Sequence, residues 1–109
     1  MELDIILYSR TFSCPYTLMA KKVLNQNRVP YKEILIDRDP VARRWMVDWT
    51  GYEAVPTIVA AAAGTVFPLD APTPLAKGAS PRGVNRGSMI TEPTEQEFIH
   101  WLRRNQFIR

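Results

Sequence analysis

The chain is poor in cysteine and histidine. Its 109 residues include one cysteine, Cys14, and one histidine. A single cysteine cannot form a disulfide within the chain, which excludes a disulfide-stapled secreted domain, and one cysteine with one histidine cannot complete a structural zinc site. We therefore expect a free thiol in a reducing compartment, the cytoplasm, and no bound metal.

The sequence also lacks a long apolar run and a concentrated patch of charge. No apolar stretch approaches the roughly 20 residues that cross a bilayer, and the initial Met-Glu-Leu-Asp is acidic where a signal peptide would be basic. The net charge is +3 at pH 7, but the 14 lysines and arginines are scattered in runs of no more than two. These features predict no membrane or nucleic-acid partner and a weak preference for anionic ligands.

The length and the first local patterns predict one domain over residues 1–109, built on an α/β plan. A chain of this size fits a single core. Residues 4–8 are rich in β-branched and aromatic side chains and predict a strand, and Pro15 opens a helix that ends near Asn27. Residues 31–36 predict a second strand, which the helical crossover makes parallel to the first.

The second half of the chain predicts two more helices and a hairpin. Pro40 opens a helix with apolar residues on one side, and Gly51 ends it. Residues 55–59 predict a strand, with residues 65–67 as its short hairpin partner. Thr94 begins a Thr-x-x-Glu capping box ahead of the last helix, which ends in two arginines.

A long segment without periodicity separates the hairpin from the last helix. Residues 68–93 contain five prolines and three glycines, and they predict a loop insertion. A loop of this length in a small domain is usually either functional or disordered. If it folds over the cysteine, its cations Lys77, Arg82 and Arg86 bind an acidic partner or take over ligand contacts. If it is disordered, they only increase solubility.

Cys14 lies between the first predicted strand and the amino end of the first predicted helix. Unpaired N–H groups and the helix dipole favour an anion there, which lowers the pKa of a thiol and provides more nucleophile at neutral pH. The alternative is an inert buried cysteine that behaves as a small apolar residue. The position of Cys14 by itself leaves both interpretations open.

The motifs around Cys14 resemble the glutaredoxin family. They are Cys-Pro-Tyr-Thr at residues 14–17, Thr-Gly at residues 50–51, and Val55-Pro56 at the head of a later strand. The resemblance covers residues 4–67. It implies a thioredoxin-like fold of three layers, in which a four-stranded mixed sheet has helices on both faces, and a cis peptide bond before Pro56.

The resemblance also implies a binding site for glutathione. The backbone of Val55 would pair with the cysteine portion of the tripeptide, while Tyr16 and Pro56 would shape the site around it. Arg10 and Arg43 would hold the carboxylates of glutathione. The alternative is that both arginines are ordinary solvated surface residues.

Two features depart from the family pattern. Thr17 stands where dithiol members have a second cysteine, so Cys14 would act alone, and the Thr17 hydroxyl either hydrogen-bonds the Cys14 thiolate or is neutral helix surface. The Gly-Gly turn and following Asp that hold one end of glutathione in the family are not evident. Gly87 and Ser88, inside the long loop, are the candidates to replace that turn.

The resulting functional expectation is a thiol–disulfide oxidoreductase with one active thiol. It would remove glutathione, or another small thiol, from mixed disulfides, with glutathione as co-substrate and disulfide-bonded or glutathionylated proteins as partners. One alternative is a non-catalytic thioredoxin-like module that binds a protein. Another is a carrier in which two subunits bridge an iron–sulfur cluster, although the Cys-Gly-Phe-Ser motif of such members is absent.

Overall fold

The structure is a computed structural model that describes residues 2–12 and 14–109. Within these residues the strands and helices alternate in the first half of the chain, as the sequence patterns predict. In chain order they are β1 (Leu3–Ser9), α1 (Pro15–Gln26), β2 (Tyr31–Leu35), α2 (Pro40–Thr50), β3 (Thr57–Ala62), β4 (Met89–Thr91) and α3 (Glu95–Arg104).

The four strands form one mixed sheet in the order β2-β1-β3-β4. β1 and β2 are parallel, because α1 carries the chain back across the sheet between them. β3 is antiparallel to β1 and to β4. β1 and β4 therefore end, and β3 begins, at the same end of the sheet.

Two apolar layers enclose the sheet. Because side chains alternate along a strand, Ile5 and Leu7 of β1 face one layer, which they share with α1 and α3. Ile6 and Tyr8 face the other layer, which α2 covers. The predicted thioredoxin-like fold, with a four-stranded mixed sheet between helices on both faces, is confirmed.

Short-range signals set the helix ends. The carboxylate of Asp39 accepts a hydrogen bond from the Ala42 N–H at 3.0 Å and caps α2, while Gly51, with φ +90°, ends it in a left-handed conformation. Thr94 and Glu97 form both hydrogen bonds of a capping box at α3.

The hairpin partner of β3 differs from the prediction. Residues 65–67 are not a strand, and β4 pairs with β3 instead, with Ile90 opposite Ile58. After β3 the chain turns, with Thr65 N–H donating to Ala62 C=O at 2.9 Å, and the Phe67 ring packs on Trp45 with the ring centroids 4.6 Å apart. Aromatic packing on α2 thus replaces strand pairing at this point.

The segment between β3 and β4, residues 63–88, is packed against the domain. Arg86 anchors it, because its buried guanidinium donates to the Trp49 carbonyl at 2.7 Å and to the Thr73 carbonyl at 2.9 Å. Arg86 therefore holds the segment in place, a role that differs from those considered for it in the sequence analysis, namely binding an acidic partner, taking over ligand contacts or increasing solubility. No helix in the described residues is long and apolar enough to cross a membrane.

Candidate functional site

Cys14 is the residue immediately before α1. Its backbone is extended, with φ −97° and ψ 168°, and Pro15 begins the helix behind it. After β1, Thr11 is held by two hydrogen bonds: its N–H donates to the Asp37 carboxylate at 3.1 Å, and its hydroxyl accepts from Arg38 at 3.0 Å. The thiol is half-buried, and its sulfur lies 3.4 Å from the Thr17 hydroxyl.

The surroundings of Cys14 favour its thiolate. Burial on its own raises the pKa of the Cys14 thiol, but hydrogen bonds from the Thr17 hydroxyl and from the backbone of Thr17, Tyr16 and Cys14 outweigh it and lower the pKa below its ordinary value. Of the two roles considered for Thr17, the structure shows the hydrogen bond to Cys14. Its side chain is 1% exposed, so it is not helix surface.

Replacing Thr17 by valine tests this hydrogen bond. Valine fills nearly the same volume but cannot donate, so the pKa of Cys14 is expected to rise. The rate of alkylation of Cys14 by iodoacetamide at pH 6 should fall about tenfold or more, because a hydrogen bond to a charged group is worth about 1.5–3 kcal/mol. The measurement is the alkylation rate between pH 5 and 10. Thr73→Val, an exposed position on the 63–88 segment, is the control and should leave the profile unchanged.

Cys14 lines a cleft of about 390 Å³ at the end of the sheet where β1 and β4 stop. Of the residues predicted for the site, Arg10, Tyr16 and Val55 line this cleft with it. Arg82, one of the three loop cations that the sequence analysis named for ligand contacts, also lines it. The sequence analysis did not assign Phe12, Glu53 and Glu92, which line it as well. Phe12 is 89% exposed.

Glu53 lies between the two arginines that the sequence analysis assigned to carboxylate binding. Its carboxylate lies 3.8 Å from Arg10 and 3.6 Å from Arg43, and Arg10 also donates to the Glu53 backbone carbonyl at 3.1 Å. Arg43 lines a neighbouring cavity of about 720 Å³ that shares Glu53 with the Cys14 cleft. Two guanidinium groups share one carboxylate, which leaves one positive charge uncompensated.

Val55 and Pro56 bring backbone atoms to the same place. The peptide bond between them is cis. The Pro56 carbonyl accepts a hydrogen bond from the Glu92 N–H at 2.7 Å. Among the described residues, neither the N–H nor the C=O of Val55 has a hydrogen-bond partner, so an extended peptide can pair with this residue.

Residues after β4 and from the 63–88 segment complete the cleft. The hydroxyls of Thr57 and Thr91 lie 2.9 Å apart and join the ends of β3 and β4, which places Glu92 beside Pro56. Glu92 accepts a hydrogen bond from Arg82 at 2.6 Å. The Arg82 guanidinium also lies over the Tyr16 ring, 5.6 Å from its centroid, within the range of a cation–π contact.

Gly87 and Ser88 lie elsewhere. They come before β4, whereas the Cys14 cleft is at the end where β4 stops. The Gly87 carbonyl accepts from the Trp101 indole at 2.9 Å, and the Ser88 hydroxyl donates to the Asp70 carbonyl at 3.0 Å. The structure therefore does not bring the predicted replacement for the Gly-Gly turn to the thiol.

No group of three or more histidine, cysteine, aspartate or glutamate side chains suited to a metal ion occurs in the described part of the chain. The chemistry that the cleft offers is that of a thiol with a lowered pKa beside the backbone of Val55 and two arginines, Arg10 and Arg82.

Comparison with known proteins identifies a matching family. A family model described as Glutaredoxin matches residues 5–62, more than half of the chain. Among solved structures, glutathione transferase Omega 2S from Trametes versicolor is similar over 68% of this chain, with 30% sequence identity and a TM-score of 0.45. This chain spans 29% of the length of that transferase chain. A comparison with curated proteins gives no match.

Proposed function

We propose that this chain, which belongs to the glutaredoxin family, reduces glutathione mixed disulfides with Cys14 as its single active thiol. Family membership supports a thiol–disulfide oxidoreductase-like role. The observation that carries the finer proposal is the Cys14 thiol itself, which has a lowered pKa and opens into a cleft with an unpaired peptide backbone at Val55.

The proposed reaction has two exchange steps. The Cys14 thiolate attacks the glutathionyl sulfur of a mixed disulfide, the disulfide bond breaks, and the substrate thiolate leaves and takes a proton from water. A second glutathione thiolate then attacks the glutathionyl sulfur on Cys14, which releases oxidised glutathione and restores the Cys14 thiolate. One glutathione thiol is oxidised in each cycle, and the other half of the oxidised glutathione is the glutathionyl group that came from the mixed disulfide. Thr17 stabilises the thiolate in its attacking and leaving forms and, lacking sulfur, cannot resolve the intermediate.

The cleft supplies contacts for a small peptide thiol. The Val55 N–H and C=O pair with its backbone, and Tyr16 forms part of the wall, while Pro56 is buried behind Val55 and does not line the cleft. Arg10, with Arg43 across Glu53, attracts a carboxylate. Another low-molecular-weight thiol peptide with a carboxylate would use the same contacts, and the physiological partners on this proposal are glutathionylated proteins.

Glu53 competes with the carboxylate of the ligand for these arginines. Glu53→Gln is therefore expected to lower the KM for glutathione about twofold to fivefold, the range for a partly exposed ion pair, with little change in kcat. Steady-state kinetics at low salt measures this. Glu2→Gln is the control, because it removes the same charge from an exposed residue at the opposite end of β1. An unchanged or higher KM in Glu53→Gln would contradict the competition.

The test of the proposed function is a search for its intermediate. The reduced protein is exposed to oxidised glutathione, and the mass of the peptide that contains Cys14 is measured before and after addition of reduced glutathione. We expect a glutathione adduct on Cys14 that reduced glutathione removes, and catalytic turnover of a glutathionylated peptide. A protein that neither forms the adduct nor turns over is a non-catalytic thioredoxin-like module, and the proposal is then wrong.

A further inference from the structure

The Cys14 cleft has cations on two sides, and the second one comes from the insertion between β3 and β4. Strands β1, β3 and β4 are neighbours, so residues that follow β1 and precede β3 line one side of the cleft, and residues beside β4 line the other. Arg10 belongs to the first side and Arg82 to the second. Arg82 lines the cleft although it lies 72 positions after Arg10 in the sequence.

A tight turn fixes the backbone of Arg82. The Val84 N–H donates to the Pro81 carbonyl at 3.1 Å, and Gly83, with φ +72°, takes a conformation that other residues avoid. The Gly83 N–H donates to the Thr91 carbonyl at 2.7 Å, and Arg82 forms a parallel bridge with Thr91. Arg82 is therefore anchored to the end of β4 and does not lie on a freely moving loop.

The side chain of Arg82 is placed by two contacts that leave much of its donor capacity unused. Its Nε donates to Glu92, and its guanidinium lies over the Tyr16 ring. Within the described part of the chain this hydrogen bond uses Nε alone, and the two terminal nitrogens remain as donors for a planar anion. The Arg82 side chain is 59% exposed, whereas that of Glu92 is 13% exposed, so a ligand in the cleft meets the arginine more readily than the carboxylate.

We propose that Arg82 is a substrate-recognition residue that binds a carboxylate of the small thiol component, at the end of that component distant from Arg10. The inference rests on the proposed function for its reaction and adds the residue that selects the substrate. It assigns the cleft to thiols that carry carboxylates at both ends, because Arg10 and Arg82 line its two sides and Cys14 lines the same cleft.

Two disulfide reagents of different charge test this assignment. Dithiobis(nitrobenzoate) carries a carboxylate on each half, whereas dithiodipyridine is neutral. In both reactions the Cys14 thiolate attacks one sulfur, the disulfide bond breaks, and an aryl thiolate leaves that is measured by its absorbance. The measured quantity is the ratio of the two second-order rates at one pH, in which the thiolate fraction of Cys14 cancels. We expect Arg82→Gln to lower the ratio of anionic to neutral reagent about threefold to fivefold at low salt.

Matched variants separate the effect of a charge inside the cleft from the effect of the net charge of the protein. Lys77→Gln removes a positive charge from an exposed residue of the same insertion that does not line the cleft, and it should leave the ratio unchanged. Glu92→Gln removes the carboxylate that competes for Arg82 and should raise the ratio. An unchanged ratio in Arg82→Gln, or an equal fall in Lys77→Gln, overturns the assignment.

A second pair of substrates identifies which part of a mixed disulfide Arg82 binds. Glutathionylated peptides with Asp or Asn beside the cysteine differ only in the charge of the departing peptide. We expect Arg82→Gln to slow both peptides equally, and a loss confined to the Asp peptide would assign Arg82 to the protein side and overturn the proposal. The reagent assay needs only a reactive Cys14. A charge effect without glutathione turnover would therefore refute the proposed function and leave the anion site standing.

Discussion

Replacing Cys14 by serine is expected to reduce turnover of glutathionylated substrates by at least about a hundredfold, to the level of the uncatalysed exchange. A serine hydroxyl is almost fully protonated at neutral pH and is a poor nucleophile toward sulfur, whereas the thiol begins with a lowered pKa. The described chain has no second thiol to take over, since Cys14 is the only cysteine in the sequence. The measurement is steady-state turnover with reduced glutathione in excess.

The folding of this variant supplies the control. Serine is slightly smaller than cysteine, and the Cys14 side chain makes one side-chain hydrogen bond, to Thr17. The thermal midpoint of Cys14→Ser should therefore stay within a few degrees of that of the native protein. Turnover that persists in a folded Cys14→Ser variant would remove Cys14 from the mechanism.

Replacing Trp101 by alanine is expected to lower the free energy of unfolding by about 3–5 kcal/mol. Trp101 is fully buried, stacks between Phe98 and Phe107 with centroids 6.1 and 6.3 Å away, and donates from its indole nitrogen to the Gly87 carbonyl at 2.9 Å. It therefore joins α3 to the end of the insertion as well as to the core. Because a domain of this size has about 5–15 kcal/mol in total, the loss takes much of its stability.

Trp101→Phe separates the contribution of aromatic packing from that of the hydrogen bond to the Gly87 carbonyl. Phenylalanine keeps an aromatic ring in the core but cannot donate to Gly87, whose carbonyl still accepts from Asn105 at 3.2 Å. We expect a loss of about 1–2 kcal/mol, and urea unfolding curves of the three proteins give the comparison. A loss below about 1.5 kcal/mol in Trp101→Ala would contradict the role assigned to this residue in the core.

The first half of the fold could be predicted because its signals are local. Cys14 and Pro15 mark the start of α1, Asp39 caps α2, and Gly51 ends it, each through contacts within a few residues. The same holds for Thr94 at α3. Short runs rich in β-branched and aromatic side chains, joined by a helical crossover, were sufficient to order β1, α1 and β2.

The hairpin could not be predicted, because its partner strand is short and remote. β4 has three residues, too few for a period, and 26 residues separate it from β3. The sequence predicts the nearer residues 65–67 as the partner, but Phe67 packs on Trp45 instead. The sequence analysis placed the loop insertion after the hairpin, and therefore looked for the replacement of the Gly-Gly turn at Gly87 and Ser88. In the structure the insertion precedes β4, and the residue after β4 that lines the cleft with Cys14 is Glu92.

The charge arrangement of the cleft shows a similar limit. The family resemblance implied carboxylate-binding roles for Arg10 and Arg43, but the carboxylate of Glu53 that they share depends on where the segment before β3 lies in space. Glu53 precedes Val55 by two residues, and an acidic residue so near a predicted carboxylate site was the available signal. For Arg82, proximity to Cys14 arises only when the insertion folds back onto β4.

The bridge between Arg82 and Thr91 also bears on solubility. β4 is an edge strand, and an uncovered edge is a template for pairing with the strand of another molecule. The Gly83 N–H already occupies the Thr91 carbonyl, so part of this edge is closed by the chain itself. At the opposite edge, β2 carries the charged residues Lys32 and Glu33, which discourage such pairing by a different means. The insertion that carries Arg82 thus also protects the sheet against strand-to-strand aggregation.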